Sequence, residues 1–511
     1  MIELSAARIA ALTEGRLTRT VAGDLTIDVA KIGTDSRETG AGSVYVAKVG
    51  EHADGHDYIP AAIASGAVLV LAERELNAAD GAPYPAVIVP DAVAAMGLLA
   101  AEVVRVIRAA GELTVVGITG SAGKTTTKDL LAGVFARVAE TVAPQESFNG
   151  EIGVPLTVFR ADLSTRFLVV EMGATKIGHI QYLAQMVEPD IGVVLGVGSA
   201  HSGEFGGVAN IAQAKGEMVE ALGRNGTAVL NLADNRVSAM AARTVAPVLW
   251  FGEAGLPVPD GQPALLAENV RSSARATPEF DLRFPDGSAW PIRSELIGGH
   301  HLNNLLAAGA AAWAAGLPAE QIAAGLSGQG AKSRWRMERT ERADGVTVIN
   351  DAYNANPESM RAALRALAEL GRGDGDPANR RRTWAVLGAM LNLGEESIQA
   401  HSSLGQTVVR LNISRLLVIG AQARPLHIGA INEGSWGEES VHVPDLDSAF
   451  DVLQEELRPG DIVLFKSSRD SGLRYLGDRI ALAQAQDAEQ HPVTSPEDSI
   501  STVSDETSGE D

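Results

Sequence analysis

"VVGITGSAGKTTTKDLL", Val115 to Leu131, decides how this chain is read. A β-branched apolar run breaks into a turn with two glycines, then a lysine, three threonines and a helix-forming segment. Gly120 and Gly123 stand where backbone must approach oxygen atoms with no Cβ in the way. In such a strand–turn–helix, the turn and helix N-terminus from Thr119 through Gly120, Ser121, Ala122 and Gly123 to Thr126 aim amides at anionic phosphates. Lys124 adds charge near the terminal phosphates, and Thr125 offers a hydroxyl suited to Mg²⁺. A strict phosphate loop has Gly six residues before the lysine, but Ile118 stands there, so this is a variant rather than an ordinary NTPase loop. A purely structural glycine turn is the alternative. The strand before it and the helix after it favour phosphate.

Outward from that loop, "LTVVGIT", "RFLVVEMG", "DIGVVLGVG" and "GTAVLNLAD" read as buried strands separated by helical segments. The alternation predicts a parallel sheet with helices on both faces. "EFDLRFPDGSAWPIR" predicts a hairpin turning at Asp286-Gly287, and "HHLNNLLAAGAAAWAAG" an Ala-rich helix closed by Gly316. Upstream, "GSVYVA", "AVLVLAE" and "PAVIVP" form a smaller α/β unit. Downstream, "VTVINDAY", "TWAVLGAML", "RLLVIG" and "DIVLFKSS" begin a third βα series. The expected divisions are 1–110, 111–333 and 334–485, followed by an acidic tail, 486–511.

A chain of 511 residues is long enough for several separately buried cores. With no cysteine, disulfides, thiolate zinc sites and thiol nucleophiles are excluded. The formal net charge of −22 argues against a nucleic-acid partner, although eight acidic residues after Arg479 supply part of it. The tail lacks the apolar residues to offset ordering entropy and is expected to be disordered. No apolar run suits a membrane span, and the N-terminus lacks the pattern of a signal peptide. A cytoplasmic protein is expected.

Glu171 ends the strand "RFLVVE" and should emerge at the sheet edge where α/β proteins bind ligands, placed to hold Mg²⁺. A carboxylate after a strand is otherwise an ordinary solvated loop residue. His201, in "VVLGVGSAHSGEFGG", should reach the same edge, although a lone histidine is commonly structural. Lys215, inside the helical "NIAQAKGEMVEAL", is either a snorkelling surface lysine or a buried one near the metal whose charge can be modified. "NDAYNANPESM", Asn350 to Met360, places Asp351, Tyr353, Asn354 and Asn356 before a helix. An Asx/Pro helix entry explains part of that string, but it holds more polar groups than a turn requires.

Together "SFNGEIGVPLT", "EMGATKIGHI", "AKGEM" and "NDAYNANPESM" resemble the Mur ligase family, over roughly residues 30 to 475. The last string points to the branch that adds D-alanyl-D-alanine. The resemblance implies an N-terminal α/β domain for a UDP-sugar, a central P-loop ATPase domain and a C-terminal Rossmann-like α/β domain. It implies that ATP phosphorylates the terminal carboxylate of UDP-N-acetylmuramoyl-tripeptide, and that D-alanyl-D-alanine displaces the phosphate. By motif, Lys124 would contact the β- and γ-phosphates, Thr125 and Glu171 one Mg²⁺, and His201 a second. Lys215 would be carbamylated. Arg336 would hold nucleotide from the domain junction, Asp351 the ribose and Asn304 the adenine side. Ser36 and Arg37, in "TDSRE", would line the UDP-sugar pocket, and Asn149, Tyr353, Asn354 and Asn356 the acceptor region. A hinge near 332–334 would let the C-terminal domain close, and the family implies a monomer.

Some positions depart from the family pattern. His301 replaces an Asn, Ala389 and Asn392 replace acidic residues, and "KSSRDSGL" carries Ser468 and Asp470 where Gly-Ser-Arg-Gly is expected. A sister ligase, a folylpolyglutamate synthetase-like enzyme and a nucleotide-gated binding protein without ligase activity are the competing readings. Phosphate release that needs both peptide substrates separates them.

Overall fold

The structure, a computed structural model, describes residues 1–50, 53–198, 202–373, 375–434 and 439–490. His201 and the tail beyond Gln490 lie outside it. The last helix, Leu473–Gln490, continues past the domain end expected at 485, so the first residues of the expected tail, 486–490, are helical.

Among the described residues, three sheets hold most of the strands. The central one places the P-loop strand Thr114–Thr119 between Phe167–Glu171 and Ile191–Val194, both parallel to it. Thr227–Asn231, Val248–Glu253 and Ala264–Ser272 continue the parallel order on one side, and the short Thr141–Val142 closes the other. The sheet is not wholly parallel. Pro278–Arg283 and Ala289–Arg293 form the expected hairpin and add to the edge antiparallel. Gly287 has φ +86°, the left-handed turn that its Asp-Gly pair allows.

The C-terminal sheet repeats the parallel design in the order Thr347–Asn350, Ile462–Lys466, Thr383–Leu387, Arg415–Ile419, Ser440–Val443, with Glu338–Glu341 antiparallel at the edge. The N-terminal sheet has four parallel strands and a short antiparallel one, Arg16–Leu17.

Packing joins these units unequally. One apolar core runs from the N-terminal sheet through the helix Ala92–Ala110 to one face of the central sheet. The opposite face is covered by the P-loop helix Lys124–Phe135 and the Ala-rich helix His301–Ala314. The C-terminal sheet has its own apolar layers, which take in only Ala276 and Ile297 from before the junction. The junction with the central domain is therefore mostly polar, which suits a surface that binds ligand.

The far end of the P-loop helix is pinned by an aromatic pair. Phe135 and Phe167 are buried and stack at 4.0 Å between ring centroids, 6° from parallel. Phe167 begins the strand that ends in Glu171, so this pair couples the P-loop helix to the Glu171 strand. Phe135→Ala should cost about 3–5 kcal/mol of stability. Urea denaturation measures it, and a loss well under 1 kcal/mol would mean that the helix is held by other contacts.

Candidate active site

The P-loop helix begins without any side-chain cap. Its first-turn amides therefore remain free for an external anion. Gly123 takes φ +84°, and a Cβ there would strike Asn304 Oδ1. Conformation and space thus both demand glycine. Gly120 is similar: φ is +155°, and a Cβ would come 2.8 Å from that of Leu195. Ser121 ties the loop to the neighbouring strand end, donating its amide to Gly196 O at 3.0 Å and accepting from Gly198 N at 2.9 Å.

At the helix start, Lys124 folds back and donates to Gly120 O at 2.8 Å. Desolvation lowers its pKa below the usual lysine value, with Glu171 opposing and Arg336 reinforcing the shift. Glu171 stands opposite Ile118 in the strand register and is 1% exposed. Its Oε2 accepts from Thr125 Oγ1 at 2.9 Å and its Oε1 from Asn149 Nδ2 at 2.7 Å. Thr125 Oγ1 is also 2.6 Å from Ser147 Oγ. Lys215, on the helix Val208–Glu220, is buried rather than snorkelling. Its pKa is lowered to about 7, first by desolvation and then by the charge of Lys124.

The C-terminal side completes this cluster. Arg336 Nη2 donates to Ser147 Oγ at 3.0 Å and approaches Thr125 Oγ1 at 3.4 Å. The segment that delivers it is constrained on both flanks. Ser333 bonds Asp129 of the P-loop helix at 2.6 Å, and Trp335 Nε1 bonds Asp478 of the last helix. Trp335 and Met337 adopt φ of +59° and +52°. Left-handed backbone at such bulky residues costs on the order of 1–3 kcal/mol each and persists only where the surroundings enforce it.

Asn304, on the Ala-rich helix, lies beside Gly123. Its Oδ1 accepts from Thr127 at 3.4 Å, and its Nδ2 donates to His301 Nδ1 at 3.1 Å. That bond assigns the ring proton to His301 Nε2, which is buried and has no partner. Burial, and then the neighbouring His300, hold this ring neutral. Thr119 Oγ1 is likewise buried and unpartnered beneath the loop. Two orphaned buried polar atoms flank the anion cradle, which fits a polar ligand.

Asp351 reaches the junction, but its carboxylate is already engaged. Oδ2 accepts from Lys466 Nζ at 2.6 Å and Oδ1 from Met337 N at 3.1 Å. Asn356 caps the helix Pro357–Arg372 in a capping box with Ser359, so the helix-entry reading accounts for its side-chain oxygen. Asn354 is exposed, its Oδ1 bonded to Ala355 N. Tyr353 lies under Arg336, 4.3 Å from guanidinium carbon to ring centroid. Ser36 and Arg37 stand apart in the N-terminal domain, where Arg37 pairs with Asp35 at 2.6 Å and lowers the Asp35 pKa to about 2. Sequence reading gave no role to Ser147 or Lys466. Ser147 sits inside the quoted "SFNGEIG", and Lys466 is a lone lysine at the end of an apolar strand. Only the fold reveals their partners.

The arrangement defines a nucleotide-binding α/β protein whose phosphate site is built by two domains. Comparison with known proteins narrows that class. Residues 28–111, 118–312 and 335–469 match the family descriptions "Mur ligase family, catalytic domain", "Mur ligase middle domain" and "Mur ligase, glutamate ligase domain". The chain is 42% identical to the UDP-N-acetylmuramoyl-tripeptide--D-alanyl-D-alanine ligase of Mycobacterium leprae, over 94% of this chain and 98% of that one. It is 32% identical to the ligase of the same name in Escherichia coli, over 83% and 88%. A crystal structure of MurF from Acinetobacter baumannii superposes with a TM-score of 0.81, at 28% identity over 94% and 99% of the two chains. MurF ligase from Thermotoga maritima in complex with ADP gives 0.73, at 26% identity over 90% and 100%. The chain belongs to the Mur ligase family.

The buried Asp351–Lys466 pair yields a test of the junction. Asp351→Ala leaves the lysine uncompensated and should destabilise by about 3–5 kcal/mol. Adding Lys466→Met should restore much of that loss. Thermal and urea unfolding of both variants check this, and an equal loss in the double variant would mean that the cost lies in packing instead.

Proposed function

We propose that this chain is an ATP-dependent ligase joining D-alanyl-D-alanine to UDP-N-acetylmuramoyl-tripeptide, which completes the pentapeptide precursor of peptidoglycan. The observation that carries this reading is Arg336 crossing the junction to Ser147 and Thr125, so that cations from two domains meet at one phosphate cradle. The tripeptide's terminal carboxylate attacks the γ-phosphorus of ATP. An oxygen–phosphorus bond forms as the bond to the β-phosphate oxygen breaks, giving ADP and an acyl phosphate. The dipeptide amine then attacks the acyl carbon. The tetrahedral intermediate expels inorganic phosphate, and the amine proton passes to solvent.

Lys124, Arg336 and the first-turn amides bind and orient the phosphates and offset their charge, which is where this chemistry needs most help. Thr125 and Glu171 are hard oxygen donors within hydrogen-bond reach of each other, a set that fits Mg²⁺. His201 would serve a second ion. When bound, such ions would neutralise phosphate charge. Asn304 and Asp351 are assigned to the nucleoside side, with His301 Nε2 a further available donor. Ser36 and Arg37 are assigned to the UDP-sugar, and Asn149, Tyr353, Asn354 and Asn356 to the acceptor region. A cytoplasmic monomer with domain boundaries near 110 and 333 completes the reading. No helix among the described residues is long and apolar enough to cross a membrane.

Lys215 is assigned as carbamylated. A buried amine with a pKa of about 7 is about half uncharged at neutral pH and largely so above it, free to attack CO₂ and release its proton. The product carries a negative charge where a buried ammonium would face Lys124.

Phosphate release should require ATP, the UDP-tripeptide and D-alanyl-D-alanine together. Release with either peptide substrate omitted, at the full rate, would refute the ligase reading. Lys124→Ala should cost about 3 kcal/mol of barrier or more, a hundredfold or greater loss. Near wild-type turnover by the folded variant would remove Lys124 from the mechanism.

Because the Lys215 pKa is depressed, the reactive amine dominates above about pH 7 and is lost as pH falls through that value. Enzyme depleted of CO₂ at pH below 7 should lose activity and regain it with bicarbonate at higher pH. Carbon-labelled bicarbonate should give a carbamate signal that Lys215→Ala lacks. A wild-type enzyme with no such signal, and indifferent to bicarbonate, would leave Lys215 an unmodified buried amine.

A further inference from the structure

Tyr353 carries two guanidinium groups. Arg336 lies 4.3 Å from its ring centroid and Arg469 lies 5.4 Å from it. The two cations differ in what else they touch. Arg336 is turned toward the P-loop through Ser147 and Thr125. Arg469 follows the strand Ile462–Lys466, is exposed, and is paired with no carboxylate among the described residues. Its backbone is nonetheless fixed. Arg469 O accepts from Arg474 Nη1 at 2.6 Å, and the preceding Ser468 accepts from Leu391 N and donates its amide to Ala389 O, both at 2.9 Å. Tyr353 is held as well, by its amide to Trp335 O at 3.3 Å and by the Trp335 ring at 6.5 Å.

Tyr353 thus links a guanidinium at the phosphate cradle to one whose donors meet no carboxylate among the described residues. The two guanidinium carbons can be no farther apart than the sum of their distances to the shared ring. An extended dipeptide spans about 7 Å. That ceiling leaves a zwitterionic dipeptide able to reach from the Arg336 end, with its amine where the acyl phosphate would form, to Arg469 with its α-carboxylate. Planar, bidentate pairing of arginine with carboxylate fixes orientation as well as position.

We propose that Arg469, seated on Tyr353, binds the α-carboxylate of the incoming dipeptide. This rests on the ligase reading given above.

The test is steady-state phosphate release with D-alanyl-D-alanine and with D-alanyl-D-alaninamide, which lacks the carboxylate. Wild-type enzyme should prefer the free acid by tenfold or more in kcat/KM. Arg469→Gln should raise KM for D-alanyl-D-alanine at least tenfold, shift KM for ATP and UDP-tripeptide less than twofold, and erase the preference over the amide. Arg469→Lys should retain part of the preference, because it keeps the charge and loses the fork. An Arg469→Gln variant, folded by its thermal transition, that keeps the wild-type preference for the acid would overturn the assignment while leaving the ligase reading intact. Wild-type enzyme that ligates neither dipeptide would overturn the ligase reading and this one with it.

Discussion

Positive charge without its counterion is the constraint on which the site depends. Lys124, Lys215 and Arg336 converge on a buried region whose carboxylate, Glu171, is already shared between Thr125 and Asn149. In a poorly solvated pocket such cations raise one another's cost, and the depressed pKa values of both lysines express that cost. An anionic ligand relieves it. Triphosphate binding and the carbamate proposed on Lys215 would be two answers to the same electrostatic problem, one supplied by substrate and the other by CO₂.

That charge also explains why two domains are needed. Arg336 comes from the junction, held between Asp129 through Ser333 and Asp478 through Trp335. The strained backbone at Trp335 and Met337 is the local expense of aiming it. The C-terminal sheet keeps a separate core, so little apolar surface locks it against the central domain. Phosphate between Lys124 and Arg336 would supply attraction that packing does not.

The central fold was legible because its signals are local. Apolar strands, the glycine turn at Gly120 and Gly123, the Asp286-Gly287 hairpin and the Ala-rich helix each announce themselves within a few residues. Glu171 was readable because it ends a strand next to the P-loop strand. What could not be read depends on distant partners. The pairing of Asp351 with Lys466, over a hundred residues away, is one such case. The strand Ser440–Val443 escaped notice because "ESVHVP" is short and partly polar, and only its neighbour Arg415–Ile419 makes it a strand. Arg336 came from family resemblance alone, since nothing in its own segment signals a phosphate contact.

The central claim is that the two-domain cradle hands a phosphoryl group to a carboxylate before the new amide forms. Tracing an oxygen atom tests this most directly. UDP-tripeptide labelled with heavy oxygen in its terminal carboxylate would be turned over with ATP and D-alanyl-D-alanine, and the released phosphate analysed by mass spectrometry. Attack by the carboxylate on the γ-phosphorus predicts that each phosphate carries one oxygen from the peptide. Phosphate without the label, formed alongside amide product, would contradict the acyl phosphate route and the account built on it.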